Sequence, residues 1–289
     1  MIVELLSVGY GVLVMLGYGL SDFLSKRVVG GVGYYRLGTY SQLVALVPVI
    51  LIGIAFRPSL PSSPTTILLV FASGVSSFLS LALFYRGLEV GKASVITPVV
   101  STYAVVAIVL SFAVLGETLS LPQIACIAMT LVGVVTLTLK SDPEERSNAG
   151  IPWAIGAMFA TGLGAVLIKL VSEDAGEIAA LFFNRVLTVL TFATVGLLFL
   201  RSHFRPASHA GFPVKTIILI GLAEFAGFFF FVIGVSGGMV SLVATLSSAS
   251  PAVTVVLAQA FLKERLARVQ KFAAILVMAG ILLLSVASS

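Results

Sequence analysis

The 289-residue chain is 59% hydrophobic and only 10% charged, against roughly 25% charged in an average soluble domain, and its mean hydropathy is +1.15. Water is thereby excluded as its main solvent. The formal net charge of +5 comes from basic residues set singly or in pairs beside apolar runs, which marks membrane flanks and excludes a nucleic-acid surface.

The charges fall between apolar runs long enough to cross a hydrocarbon core, which takes about 20 helical residues. In chain order the runs are 5–25, 36–56, 66–86, 93–115, 121–139, 151–170, 178–200, 213–234, 239–261 and 270–287. They predict an all-α membrane protein with ten transmembrane helices. Met1 to Glu4 has no positive n-region and no small-residue cleavage site follows the first run, so that run reads as a permanent helix. The links are rich in Pro, Gly or charge, as in Pro58 to Pro64, Lys140 to Gly150 and Arg201 to Pro213, and none is long enough for a soluble domain. Cys126, the only cysteine, lies inside the fifth run, which excludes an intrachain disulfide and a thiolate metal site. No metal and no cofactor is expected.

The most polar link, 141–150, falls near the middle and separates two related halves, 1–140 and 151–289. A shift of 147 places Gly87 on Gly234, Gly91 on Gly238, Ser94 on Ser241, Ser101 on Ser248, Glu117 on Glu264, Gln123 on Gln270 and Gly133 on Gly280. A shift of 143 pairs Gly19-Leu20 with Gly162-Leu163 and Lys26 with Lys169, and one of 149 pairs Arg36 with Arg185. Five runs per half is an odd number, so the second half must enter the membrane from the opposite side. Inverted repeats are the ground plan of secondary transporters, because two equivalent halves that exchange conformations open one central site to alternate sides.

Three local patterns carry a resemblance to a known family. Tyr18-Gly-Leu-Ser-Asp-Phe-Leu-Ser-Lys26 and Thr161-Gly-Leu-Gly-Ala-Val-Leu-Ile-Lys169 are each followed by an arginine in the next run, Arg36 and Arg185. Gly-Glu-Thr-Leu at 116–119 and Lys-Glu-Arg-Leu at 263–266 close the fourth and ninth runs, and Pro251 lies 13 residues before the second Glu, where the first half has Ala104. In these features the chain resembles the EamA family of drug/metabolite transporters along essentially its whole length, with Tyr18 and Thr161 where the family has Trp. The resemblance implies two five-helix repeats, a central cavity lined by the first, third, fourth, sixth, eighth and ninth helices, and export or exchange of amino acids, nucleobases, drugs or other metabolites. It places the protein in the cell (plasma or inner) membrane and implies both termini inside, whereas all but three basic residues (Arg57, Lys169 and Arg185) flank odd-numbered links, which puts both termini outside.

An ionisable group at mid-membrane costs at least about 2.5–3.5 kcal/mol on insertion scales, so each one asks for a reason. Glu224 lies near the centre of the eighth run, eleven residues past Pro213. A carboxyl at that depth is able to load and release a proton during a cycle or to grip a cationic solute, and equally to hydrogen-bond a neighbouring helix. Asp22 stands one turn before Lys26, at the spacing of a local ion pair, or else serves substrate or gating. Snorkelling toward headgroups accounts for Lys26, Lys169, Arg36 and Arg185 taken singly.

Hydroxyls supply the remaining polar candidates. Ser73, Ser76, Ser77 and Ser80 in the third run recur at helical spacing along one face, where they bind a solute or let helices approach closely. Thr97, Ser101 and Thr102 in the fourth run and Thr245, Ser247, Ser248 and Ser250 in the ninth are related by the repeat, and Ser21 in the first run is a further candidate. Clusters beside Pro98 and Pro251 favour a cavity, since irregular backbone at membrane depth is tolerated where it lines one. Tyr18, Tyr103, Phe228 and Phe231 are its aromatic candidates.

Other functions fit less well. Gly234-Val-Ser-Gly-Gly238 matches a serine-nucleophile pattern, yet the only histidines, His203 and His209, lie in the link on the far side of the eighth run, so the motif reads as a glycine-rich turn and no enzyme is expected. Gly87-Leu-Glu-Val-Gly-Lys-Ala93 lacks the spacing and hydroxyl of a phosphate loop, which excludes an ATP-driven pump. The expected partners are a small-molecule solute, the lipid bilayer and protons as a coupling ion. An intramembrane enzyme, or a scaffold or receptor that moves nothing, is the alternative.

Overall fold

The structure, a computed structural model, describes residues 2–91, 93–138, 148–199, 212–262 and 268–287. The first half forms α1 (Ile2–Val32), α2 (Tyr34–Phe56), α3 (Pro64–Val90), α4 (Ala93–Ser101), α5 (Tyr103–Leu110) with a π turn over Ser111–Leu115, and α6 (Leu121–Thr138). The second forms α7 (Ile151–Ala175), α8 (Glu177–Phe199), α9 (Val214–Gly237), α10 (Val240–Ser247), α11 (Ser250–Leu262) and α12 (Arg268–Ala287). Six helices, α1, α2, α3, α7, α8 and α9, are long and apolar enough to cross a membrane. Leu51, Ile54, Phe71, Phe112, Leu197 and Ile275 are all exposed on the outside of the bundle, as expected of side chains that face lipid. The protein is a multi-pass integral membrane protein.

Helix boundaries follow from local chemistry. Gly33 and Gly176, equivalent under the shift of 143, turn α1 into α2 and α7 into α8 at φ 88° and 86°, a conformation that strains any side chain. Ser63 caps α3 by accepting the Thr66 N–H at 3.0 Å, with Pro64 as the first helical residue. The runs 93–115 and 239–261, where irregular backbone is expected beside Pro98 and Pro251, both break, at Thr102 and at Ser248–Ala249. Pro251 has no N–H to offer the Ser247 carbonyl, which accounts for the second break. The first occurs without a proline at Ala104. There the Thr102 hydroxyl and N–H both donate to the Val99 carbonyl, at 2.7 and 3.2 Å, which tightens the turn.

Packing respects the internal duplication. The contact of α1 with α9 is mirrored by that of α7 with α3, α2 with α9 by α8 with α3, and α1 with α10 and α11 by α7 with α4 and α5. Equivalent helices run in opposite directions where they meet. Gly38 of α2 packs on Phe192 and Gly53 on Phe182 of α8; Gly133 of α6 lies against Ala273 and Val277, and Gly280 of α12 against Thr130. α1 and α9 also approach closely: a Cβ on Gly17 would stand 2.7 Å from the Gly227 nitrogen, the small-residue packing that membrane helices use in place of a hydrophobic driving force. The Lys-Glu-Arg-Leu turn at 263–266, the 141–147 part of the central link and the histidines lie outside the described residues.

Candidate functional site

Between the two packed pairs, α1 with α9 and α3 with α7, lies a cavity of about 990 Å³ of empty space. Its lining comes from both halves: Tyr18 and Asp22 of α1, Ser77, Ser80, Leu81 and Phe84 of α3, Thr97, Val100 and Ser101 of α4, and Tyr103 of α5. From the second half come Thr161 and Gly164 of α7, Asn184 and Arg185 of α8, Glu224, Phe228 and Phe231 of α9, with Ser247 and Ser250 at the break before α11. The broken helices thus place irregular backbone at the cavity wall, where polar groups are satisfied by side chains or by a bound solute.

Glu224 is 7% exposed and accepts a hydrogen bond from the Ser21 hydroxyl at 3.0 Å. Across the cavity Arg185, 2% exposed, donates from Nη1 to Gln42 Oε1 and lies over the Phe228 ring at 4.4 Å. Glu224 and Arg185 are within electrostatic reach of each other. Asp22 is held far more loosely, by one hydroxyl, Ser250 Oγ, at 3.4 Å. Asn184 exchanges hydrogen bonds with Ser77, at 3.1 and 3.4 Å, and Ser80 bonds the Thr161 hydroxyl at 2.6 Å, so these pairs join α3 to α8 and α7. The Tyr103 hydroxyl bonds Ser247.

The cavity brings together Glu224, Asp22, Tyr18, Ser77, Ser80, Thr97, Ser101 and Phe228 among the residues singled out from the sequence. Ser21 stands behind it, on Glu224. The serine strip splits: Ser73 turns back onto the Val70 carbonyl, and Ser76 donates to Ala160 O across the α3–α7 contact at 2.6 Å. Thr245 and Ser248 spend their hydroxyls on the carbonyls of Ser241 and Thr245. The local ion pair expected between Asp22 and Lys26 does not form among the described residues; Lys26 is exposed and Asp22 turns to Ser250. Nor do the arginines snorkel. Arg36 is 8% exposed with its guanidinium over Phe212 at 5.1 Å, and Arg185 lines the cavity. Lys169 reaches the carbonyls of Ser236 and Gly238 at the end of α9.

Asn184 and Gln42 were not anticipated. Asn184-Arg185 is a polar pair seven residues into an apolar run, and that depth is the signal that marks it. Gln42 occupies the same depth of α2. Glu117, read as a turn residue, instead accepts the N–H groups of Val240 and Ser241 at 2.7 and 3.1 Å and caps α10.

Residues 5–139 and 148–286 each match the EamA-like transporter family. The uncharacterized protein MJ1333.1 of Methanocaldococcus jannaschii is 25% identical over 131 residues, which span 45% of this chain and 95% of that protein. A crystal structure of another protein superposes with a TM-score of 0.71 over 94% of this chain and 95% of its own, at 17% identity, a likeness of fold alone.

Proposed function

The chain belongs to the EamA-like transporter family, and from that premise we propose that it is a secondary transporter, built of two inverted five-helix repeats (1–140 and 151–289, joined by 141–150) with ten membrane crossings, that moves a small organic solute by alternating access. The observation that carries this reading is the cavity, lined by both halves, with two carboxyl groups and a guanidinium in a membrane-embedded helical body. The antiparallel meetings of α2 with α8 and of α6 with α12 support the inversion. Each break in α4–α5 and α10–α11 then falls at an equivalent place in its repeat.

The lining also suggests what the solute carries. Glu224 is bonded by Ser21 and Arg185 by Gln42, which leaves Asp22 as the carboxyl group with only a long hydroxyl contact. Tyr18, Phe84, Tyr103, Phe228 and Phe231 supply aromatic wall. A solute with an apolar or aromatic body and a cationic group fits that combination, through ion pairing and cation–π contact. Glu224, with Ser21 behind it, is the residue proposed to couple transport to protons or to hold the cationic end.

Purified protein reconstituted into vesicles tests the reading. A thermal-shift screen of amine-bearing metabolites identifies ligands, because a molecule that binds only the folded state raises the melting point; the ligands found are then followed as saturable flux. Vesicles that show binding but no flux favour a receptor or scaffold instead.

A further inference from the structure

The two ends of the bundle differ at residues that the duplication makes equivalent. On one face, where α7 ends and α10 begins, the Lys169 ammonium donates to the carbonyls of Ser236 and Gly238 at 3.1 and 3.2 Å and pairs with Glu173 at 3.3 Å. Its side chain is only 14% exposed. Those carbonyls close α9, and a cation there complements the helix C-terminus and satisfies acceptors that have no partner inside the helix. The bond joins α7, which packs with α3, to the end of α9, which packs with α1, so Lys169 ties one packed pair to the other.

The opposite face, where α1 ends and α4 begins, holds the counterparts in a different arrangement. The shift of 143 carries Lys169 onto Lys26, and the shift of 147 carries Ser236 and Gly238 onto Glu89 and Gly91 at the end of α3. Lys26 is exposed, and no described residue pairs with it. The Glu89 side chain accepts from the Tyr34 N–H at 3.3 Å and pairs with Arg86. The helices next to these links differ in the same sense. Every residue of α10, beside the Lys169 contact, is buried and only Ser247 of it lines the cavity, while Thr97, Val100 and Ser101 of its counterpart α4 do so. α10 also packs more closely against α5 and α7 than α4 does against α11 and α1.

We propose that Lys169 and Lys26 are alternate latches: Lys169 holds its face shut by clasping the end of α9, and in the opposite state Lys26 clasps the carbonyls of Glu89 and Gly91 while Lys169 lets go. The duplication itself supplies the second geometry, because exchanging the conformations of the two repeats moves Lys26 into the place that Lys169 now holds. This inference rests on the alternating-access reading. Both lysines are positioning residues; neither touches the cavity, so their substitution changes which face opens and not what is bound.

The test places one cysteine at Thr161, on the cavity wall, in a Cys126→Ala background, and labels it with a membrane-impermeant thiol reagent applied to each side of oriented vesicles. Lys169→Gln is expected to raise labelling from the Lys169 face and Lys26→Gln to raise it from the Lys26 face, so that the ratio of the two rates moves in opposite directions by about tenfold. Lys169→Arg, which keeps the donor, restores the ratio. Equal or same-signed effects overturn the latch, since a merely structural lysine weakens both states together. Should Lys169→Gln fail to fold, the pair Lys26→Cys with Glu89→Cys decides: a disulfide that forms during turnover and arrests flux supports the latch, and no disulfide under any condition overturns it. A parent protein labelled from one face only overturns alternating access and the latch with it, whereas labelling from both faces that ignores the lysines removes the latch alone.

Discussion

Replacing Glu117 with Ala removes the cap of α10. The carboxylate accepts the Val240 N–H at 2.7 Å, the Ser241 N–H at 3.1 Å and the Ser241 hydroxyl, and its counter-charge sits on the positive end of that helix. Val240 and Ser241 are both fully buried, so water is poorly placed to take over. A hydrogen bond to a charged acceptor is worth about 1.5–3 kcal/mol; counting two at the low end, Glu117→Ala costs about 3 kcal/mol. At roughly 2 °C per kcal/mol for a chain of this size, that is a fall of about 6 °C in melting temperature. Glu117→Gln keeps one acceptor and loses the charge, and should cost about 1 kcal/mol. Cys126 provides the assay, because the only thiol in the chain is buried and reacts with a fluorogenic dye only as the detergent-solubilised protein unfolds. An alanine variant that melts within about 1 °C of the parent shows that the α10 amides find other acceptors, and the capping account fails.

The same thermal assay separates two glycines of α1. Gly17→Ala presses a methyl onto the Gly227 backbone nitrogen at 2.7 Å and should destabilise by about 1–3 kcal/mol, while Gly9→Ala meets nothing within 4 Å and should stabilise by about 0.5–1 kcal/mol; equal shifts dispose of the close-packing account. Glu224→Gln keeps an acceptor for the Ser21 hydroxyl, so it should melt like the parent yet flatten the pH dependence of flux, and an unchanged pH profile removes its coupling role. Asp22→Asn should weaken binding of an amine-bearing solute by about tenfold or more while leaving an uncharged analogue of the same shape nearly unaffected, as measured by thermal shift against ligand concentration.

Much of the architecture was legible because a hydrocarbon solvent acts on composition: runs near 20 residues must cross, and Pro, Gly and charge must lie between them. Three of the six long helices, α1, α3 and α7, run four to seven residues past the ends of the runs that announced them, since polar helix ends carry no apolar signal. What stayed hidden depended on partners distant in sequence. Arg185 read as a headgroup-seeking residue because its run shows nothing of Gln42 or Phe228, which receive it. Asp22 and Lys26 read as a pair because helical spacing brings their Cα atoms to one face, but Ser250 of α11 approaches the carboxylate from outside α1. The break at Thr102 was equally obscure, since it comes from a hydroxyl that bonds back onto its own helix and not from a proline at 104.

The duplication separates two kinds of residue by a physical requirement. A site on the axis between equivalent halves meets a solute that is itself unsymmetric, so the groups that grip it have no reason to be duplicated. Under the shifts that relate the halves, Glu224 falls on Ser77, Asp22 on Ala165 and Tyr103 on Ser250, and all six of these positions line the cavity. The proposed alternating access imposes the opposite demand, because in it each half takes up the conformation of the other. The groups set at the helix ends are duplicated accordingly: Lys26 with Lys169 and Gly33 with Gly176. In the proposed cycle the unpaired Asp22 serves recognition and the paired lysines serve the exchange, so substituting Asp22 should alter what is bound whereas substituting Lys169 should alter only where the cavity opens.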